Sequence, residues 1–339
     1  MLRSYIAQLV KYQHLSEAQA EEAMNLIMRG EATPAQIGAY LIALRMKGET
    51  PEEILGSARA MRAHATPVPL SFSGPVVDTA GTGGDGQHTF NISTAAAFVI
   101  AGTGRKVAKH GNRAASSQCG SADVLAALGV NLDLTPEQVA RCIEEVGIGF
   151  LFAPRFHPAM KHAVGPRREI GQRTVFNLLG PLTNPAGATH QLIGVAEAQW
   201  THVMAEVLGA LGGKAALVVH GYGGVDELTT AGPNRVSHLK DGRVETYDLD
   251  ARDLGLRPAS LSDLRGGLPE ENARMLRALL AGEDRSPRRD VVLLNAAAAL
   301  AVEGGDLATA LREAEESLES GAALHRLEAL IAFSHEVVL

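Results

Sequence analysis

The stretch Val76–Thr94, VVDTAGTGGDGQHTFNIST, holds the densest set of groups able to act on an anion. Two apolar residues and an acid are expected at the end of a strand. Gly81, Gly83, Gly84 and Gly86 follow, and Asn91, Ser93 and Thr94 then open the apolar run AAAFVIAG. Strand, glycine loop and helix start, in that order, let backbone N–H groups approach an oxyanion with a positive helix end behind them. An ordinary βα turn needs one or two glycines, so four point to phosphate or pyrophosphate. Gly81, Gly83 and Gly86 also fit G-x-G-x-x-G. That fit is weak, because the helix is expected to begin only near Asn91, and Gly104-Arg105-Lys106 supplies no acid for a ribose. No G-K-[ST] ending occurs.

Three more clusters carry reactive groups. Lys109-His110-Gly111-Asn112-Arg113, with Ser116, Ser117 and Gly120, follows a strand candidate at Val107–Lys109. In an open parallel sheet such a loop lies in the ligand crevice and faces the glycine loop. Lys109 would bring charge to a phosphate, and Ser117, Gly120 and nearby amides would bring hydrogen bonds. The bland alternative is a solvated loop. Asp226-Glu227 follows the strand candidate Ala215–His220 in HGYGGVDELTTAG. Paired carboxylates there suit a hard cation, and opposite phosphates the natural match is Mg²⁺. An isolated acid pair is usually just solvated; the position after a strand of the same sheet favours function. The fourth cluster runs from His157-Pro158 through Arg167-Arg168-Glu169 to Arg173 and NLLGPLTNP at 177–185. An arginine beside apolar and small residues suits the carboxylate of an aromatic ligand. Composition alone favours a surface helix with salt bridges, and His157 reads equally as a helix-start residue. No Ser-His-Asp spacing, cysteine metal site or H-E-x-x-H is present.

The elements that must position these groups fall into two regions. A chain of 339 residues, 46% hydrophobic and 20% charged, suggests about two soluble domains. Net charge −7 gives no bulk attraction for nucleic acid or anionic membrane. Cys119 and Cys142 make no disulfide framework and suit a reducing cytoplasm. The apolar runs are too short to span a bilayer, and MLRSYIAQLVKYQHLS lacks a signal-peptide core.

Residues 1–65 read as helical. Ser16/Gln19, Thr33/Gln36 and Thr50/Glu53 form capping boxes, Pro34 and Pro51 sit at first helical positions, and Gly30 and Gly48 mark stops. Ile37, Leu41 and Leu44 together with Ile42, Arg45 and Met46 predict a helix buried on most of its surface. No titratable cluster stands out in this region, which looks like a packing or subunit-contact module.

Beyond Pro67–Pro69, strand candidates Val76–Val77, Val107–Lys109, Ile148–Phe152, Leu192–Val195 and Ala215–His220 alternate with helices near 92–103, 121–129, 135–146 and 199–211. That alternation predicts a mainly parallel sheet covered on both faces. Val236–Leu239 and Val244–Tyr247 flank a hairpin turn at Asp241-Gly242. The last 70 residues or so read as mostly helical.

Taken together, GTGGD at 81–85, NIST at 91–94, KHGNRAASSQCGSAD at 109–123, RRE at 167–169, NLLGPLTNP at 177–185 and DE at 226–227 resemble the anthranilate phosphoribosyltransferases of tryptophan biosynthesis. The resemblance runs nearly the whole length. It implies an α/β class fold of the nucleoside phosphorylase/phosphoribosyltransferase type: a small all-helical N-terminal domain plus a larger α/β domain with a mainly parallel sheet. The implied division is a helical domain at 1–66 with a returning segment near 165–185, and an α/β domain at 67–164 and 186–339. The implied substrates are phosphoribosyl pyrophosphate (PRPP) and anthranilate. By motif position PRPP falls to Gly81, Thr82, Gly83, Gly84, Asp85, Thr89, Asn91, Ser93, Thr94, Lys109, Ser117 and Gly120. Anthranilate falls to Gly81, His110, Asn112 and Arg167. Magnesium, two ions per subunit, falls to Ser93, Asp226 and Glu227. No single general base is implied, and Lys109 has an electrostatic role. The resemblance further implies a cytoplasmic homodimer joined through the helical domain, with no nucleic-acid or membrane partner. Alternatives are a pyrimidine-nucleoside phosphorylase-like enzyme using free phosphate and a nucleoside, or a non-catalytic relative that binds a phosphate ligand or nucleic acid.

Overall fold

The computed structural model describes residues 2–114 and 117–337. Four helices come first: α1 (Leu2–Leu9), α2 (Glu17–Met28), α3 (Pro34–Lys47) and α4 (Pro51–Ala63). The last three begin at the expected capping boxes, each with both reciprocal bonds formed. The buried stripe of α3 is Ile37, Tyr40, Leu41 and Leu44. Met46 does not join it. With about 3.6 residues per turn it lies opposite Ile37, and it is 69% exposed. Burial on most of the surface is therefore corrected to burial on one face. A titratable cluster is also present: Lys47 and Glu53 form a buried ion pair at 2.8 Å, and Glu53 accepts from the backbone N–H of Leu15 and Thr50. In the sequence Glu53 reads only as a capping-box member.

Alternating elements follow: β1 (Val76–Gly81), α5 (Ile92–Gly102), β2 (Lys106–Gly111), α6 (Ser121–Ala127), α7 (Pro136–Arg141), β3 (Ile148–Phe152), α8 (Ala153–Phe156), α9 (Lys161–Ile170), α10 (Val175–Leu182), β4 (His190–Gly194), α11 (Trp200–Ala210), β5 (Ala215–His220), β6 (Asn234–Lys240) and β7 (Arg243–Leu249). The chain then forms α12 (Pro269–Leu280), α13 (Pro287–Leu300), α14 (Leu307–Glu319) and α15 (Ala322–Glu336). The helix predicted over 135–146 leaves α geometry after Arg141 and continues as a π-helical turn at Cys142–Val146.

The strands lie in the order β3-β2-β1-β4-β5-β6-β7. The first five are parallel and the last two antiparallel. Two strands match their predicted limits. β1 and β2 run on to Gly81 and Gly111, and β4 begins earlier, at His190. The added residues include polar groups and glycine and lack an apolar pattern; lateral bonds to neighbouring strands make them sheet. Alternate residues face opposite cores. Leu192, Leu217 and Val219 join the side of α5 and α12–α15. Ile193, Ala216 and Val218 join α11, α1–α4 and α10 on the other. Helices α9 and α10 turn back against α2, α3 and α4. Beyond Ser93 and Thr94, helix α5 is apolar on every side and buried from Ala95 to Ala101.

From β1 the sheet grows both ways, so the loops after β1 and β4 diverge and leave a crevice at their carboxyl ends. Gly81 pairs with Gly194 there. A Cβ on Gly81 would strike the Asp226 side chain, and one on Gly194 the Asp226 carbonyl. Glycine at both strand ends lets the acidic loop lie across them.

Candidate active site

The glycine loop leaves β1 and curls under the acidic loop. Gly83, Gly84 and Gly86 have φ of +66°, +71° and +74°, a region closed to most side chains. At Gly83 an added Cβ would meet nothing within 4 Å, so backbone conformation alone demands glycine there. The Gly83 N–H donates to Asp226 Oδ2 at 2.7 Å. Its carbonyl accepts from Arg173 Nη1 at 2.6 Å, tying the segment before α10 to the loop. Asp85 accepts from the N–H of Gln87 and of Asp226. Thr89 bridges to Arg265.

Helix α5 begins at Ile92, as the long-loop reading requires. Its Asn91 side chain caps nothing in the helix. It accepts from Asn272 Nδ2 at 3.0 Å and donates to the Cys119 carbonyl. The Ser93 N–H, at the positive end of α5, donates to Glu227 Oε1 at 3.1 Å. Both carboxylates of the acid pair therefore rest on N–H groups of the predicted anion cradle.

Lys109 lies in β2, inside the predicted strand, and is 2% exposed. Its ammonium donates to the Thr79 carbonyl at 2.6 Å and the Ser93 hydroxyl at 3.4 Å. It lies under the floor of the site and raises the potential from below. Burial pulls its pKa down, and the charges of Asp78 and Glu227 oppose that shift. Burial pushes Asp226 well up, and the nearby Asp85 and Glu227 charges push it further. Glu227 is pushed up mainly by burial, against the pull of Lys109 and Ser93. Two buried carboxylates that disfavour their own charge suit a divalent cation. Among the described residues no three His, Cys, Asp or Glu side chains converge as a full ligand set. Mg²⁺ needs about six oxygens and takes few from protein, so substrate phosphates and water fit the remainder.

These groups line a polar chamber of about 330 Å³, together with Thr82, Gly84, Thr89, Thr94, Asn112, Ser117 and Gly120. The Thr94 hydroxyl is buried without a partner. Gly120 differs from the expectation: its N–H donates to Asp123 Oδ2 at 2.9 Å, as does that of Ala114, so neither points to a ligand. Asp123 closes the loop on itself. Ser116 lies outside the described residues.

A second chamber of about 430 Å³ adjoins the first and shares Gly81, His110, Asn112, Arg167 and Phe176 with it. Its remaining wall is largely apolar, with Met61, Pro154, Met160 and Val164, and carries one ammonium, Lys161. His110 and His157 face each other with ring centroids 5.1 Å apart. The Nε2 of each is buried without a hydrogen-bond partner. Burial lowers His110 to about 3 and His157 to about 4, so both are neutral imidazoles at pH 7. His157, which the sequence shows only as a residue before proline, lines this chamber. The Arg167 guanidinium lies 5.0 Å over the Phe176 ring, and no carboxylate lies within ion-pair distance of it among the described residues. Burial lowers its pKa. A planar ligand with a carboxylate fits this arrangement.

Comparison with known proteins agrees with this geometry. Residues 3–65 match the helical bundle domain of the glycosyl transferase family, and residues 73–324 match its a/b domain. The anthranilate phosphoribosyltransferase of Moorella thermoacetica is 58% identical over 336 residues, 98% of each chain. The crystal structure of the Thermus thermophilus enzyme superposes with TM-score 0.92 at 47% identity, covering 98% of this chain and 99% of that one. The Saccharomyces cerevisiae enzyme in complex with PRPP and Mg gives TM-score 0.90 at 31% identity, covering 99% and 98%. The same yeast enzyme with 4-fluoroanthranilate gives 0.89 at 30%, again covering 99% and 98%.

Proposed function

The chain belongs to the anthranilate phosphoribosyltransferases, and from that premise we propose how its own residues divide the reaction. The enzyme transfers the phosphoribosyl group of PRPP to the amine of anthranilate, giving N-(5′-phosphoribosyl)anthranilate and pyrophosphate. The observation that carries the residue-level reading is the pair of adjoining chambers, one polar and one apolar, meeting at Gly81 and Asn112.

Displacement at the anomeric carbon builds positive charge there and negative charge on the leaving pyrophosphate. Gly81, Thr82, Gly83, Gly84, Asp85, Thr89, Asn91, Ser93, Thr94 and Ser117 hold PRPP, with Lys109 setting a positive potential beneath it. Gly120 acts by letting its loop fold tightly, since a Cβ there would strike the Arg113–Ala114 backbone. Ser93, Asp226 and Glu227 would hold Mg²⁺, two ions per subunit. Bound there, magnesium neutralises charge developing on the leaving oxygen. Arg167 fixes the anthranilate carboxylate, with Gly81, Asn112 and His110 around the ring, and His157 completes the wall. The aromatic amine is unprotonated at neutral pH, so the task is orientation rather than strong base catalysis. This suits two neutral imidazoles in an apolar chamber.

The same reading divides the chain into a helical domain at 1–66 with its return near 165–185 and an α/β domain at 67–164 and 186–339. It places the enzyme in the cytoplasm. No helix among the described residues is long and apolar enough to cross a membrane. It also pairs two copies through the helical domain, where Val10, Tyr12 and Met46 are more than half exposed. The test is loss of anthranilate fluorescence with PRPP and Mg²⁺. Consumption must stop on chelation, and free phosphate with a pyrimidine nucleoside must give no turnover. Turnover that persists after chelation would refute the magnesium assignment.

A further inference from the structure

Asp226 and Glu227 belong to no helix or strand; they follow the isolated Gly221–Val225 bridge and precede β6. The next two residues, Leu228 and Thr229, are fully buried, so their backbone groups need partners away from water. Two asparagines provide them. Asn295, in the middle of α13, accepts from the Leu228 N–H at 3.1 Å and donates to the Leu228 carbonyl at 2.9 Å. Asn234, the first residue of β6, accepts from the Thr229 N–H at 2.8 Å and donates to the Thr229 carbonyl at 2.9 Å. Both asparagines are fully buried.

A carboxamide has the donor and acceptor of a peptide group, so each fork does for one residue what a neighbouring strand would do. Asn295 stands in the run LLNAAAAL, whose other members are apolar. Asparagine is a poor residue for a helix interior, and its burial there is compensated by the bonds to Leu228 and one to the Val291 carbonyl at 2.8 Å. The gripped residue adjoins Glu227, whose carboxylate is docked on the Ser93 N–H.

We infer that Asn295 is a positioning residue for the acid pair, with Asn234 as its second support. The two forks hold Asp226 and Glu227 against the glycine loop and α5 before any ligand arrives. This inference rests on the assignment of Asp226 and Glu227 to magnesium. Loss of an outer support of this kind typically weakens metal affinity by about 10–100-fold.

The test uses Asn295→Asp, which keeps size and acceptor but loses the donor, and Asn234→Ser as a second variant at the neighbouring fork. Calorimetric titration with PRPP and Mg²⁺ is read beside the apparent half-saturation for Mg²⁺, the KM for anthranilate and the melting temperature. The expected result is a roughly 10–100-fold loss of PRPP affinity in Mg²⁺ and a matching rise in half-saturation, with the KM for anthranilate within about two-fold. If Asn295→Asp does not fold, Asn234→Ser decides. A lower melting temperature with unchanged magnesium half-saturation and PRPP affinity would overturn the inference, leaving the forks purely structural. Asp226→Asn with Glu227→Gln serves as the control. Normal binding in that variant overturns the magnesium assignment itself, whereas loss there with normal binding in the asparagine variants overturns only the positioning role.

Discussion

The polar chamber presents backbone N–H groups, one buried ammonium and the carboxylates of Asp85, Asp226 and Glu227, whereas its neighbour presents largely apolar walls, the neutral imidazole of His157 and the ammonium of Lys161, with His110 and Arg167 on the wall common to both. They share Gly81 and Asn112 but handle charge differently. In the polar chamber the positive groups are already bonded to protein: Gly83 N–H to Asp226, Ser93 N–H to Glu227, Lys109 to Thr79. A polyanion with its cations must compete for or rearrange these contacts. In the apolar chamber the Nε2 atoms of His110 and His157 are unpartnered, so a ligand can add hydrogen bonds there without breaking any. Substitutions should therefore separate the two substrates.

The largest effect is expected where charge is greatest. Asp226→Asn with Glu227→Gln should lower turnover by at least about 10³-fold at low Mg²⁺ with the fold retained; steady-state rates and circular dichroism check it, and near-normal rates would remove the metal from these residues. Next comes Gly83→Val. A β-branched residue is strongly disfavoured at φ +66°, and its side chain would occupy the polar chamber. PRPP affinity by calorimetry should fall by about 100-fold or more, equivalent to ~2.7 kcal/mol. Wild-type-like binding would mean that the glycines serve only the turn. Arg167→Ala acts across the wall. It should raise the KM for anthranilate by roughly one to two decades, the value of a charge-assisted hydrogen bond, and leave that for PRPP within about two-fold. Equal effects would instead mean that α9 as a whole had moved.

The last effect is on stability and leaves turnover at neutral pH least changed. His157 is held at about 4, below the ordinary 6.5 of an imidazole. Between those values the unfolded chain binds the proton and the folded chain does not. Its neutral burial is thus least costly above pH ~6.5 and costs stability as pH falls toward 4, up to ~3 kcal/mol. Asn in its place should flatten that part of the pH–stability curve, measured by urea denaturation at pH 7 and pH 5. An unchanged difference between the two pH values would place the acid sensitivity on His110, lowered by burial to about 3, because Asp226 and Glu227, pushed up by burial, titrate with the opposite sign.

Local chemistry was the legible part of the sequence. Capping boxes involve residues three apart, so Ser16, Thr33, Thr50 and Thr135 announced their helices. The glycines of 81–86 announced a long loop between β1 and α5, and the apolar strands Ile148–Phe152 and Ala215–His220 announced the sheet. What stayed hidden depends on partners far along the chain. Nothing near Gly120 says that its N–H is taken by Asp123, and nothing near Asn295 says that it grips Leu228. Arg173 reads as one more arginine until its bond to Gly83 is seen. His157 gains meaning only beside His110, which β2 carries to the same chamber. Met46 was misread because an apolar count ignores which side of α3 each residue takes.

The division of labour between the chambers is tested most directly by a crossed titration. Gly83→Val and Arg167→Ala are each titrated by calorimetry with PRPP in Mg²⁺ and, separately, with anthranilate in the presence of pyrophosphate and Mg²⁺. The expected pattern is asymmetric: Gly83→Val loses PRPP, whereas Arg167→Ala keeps PRPP within about two-fold and weakens anthranilate by about ten-fold or more. Equal loss of both ligands in Arg167→Ala, or normal PRPP binding in Gly83→Val, would contradict two separately built chambers.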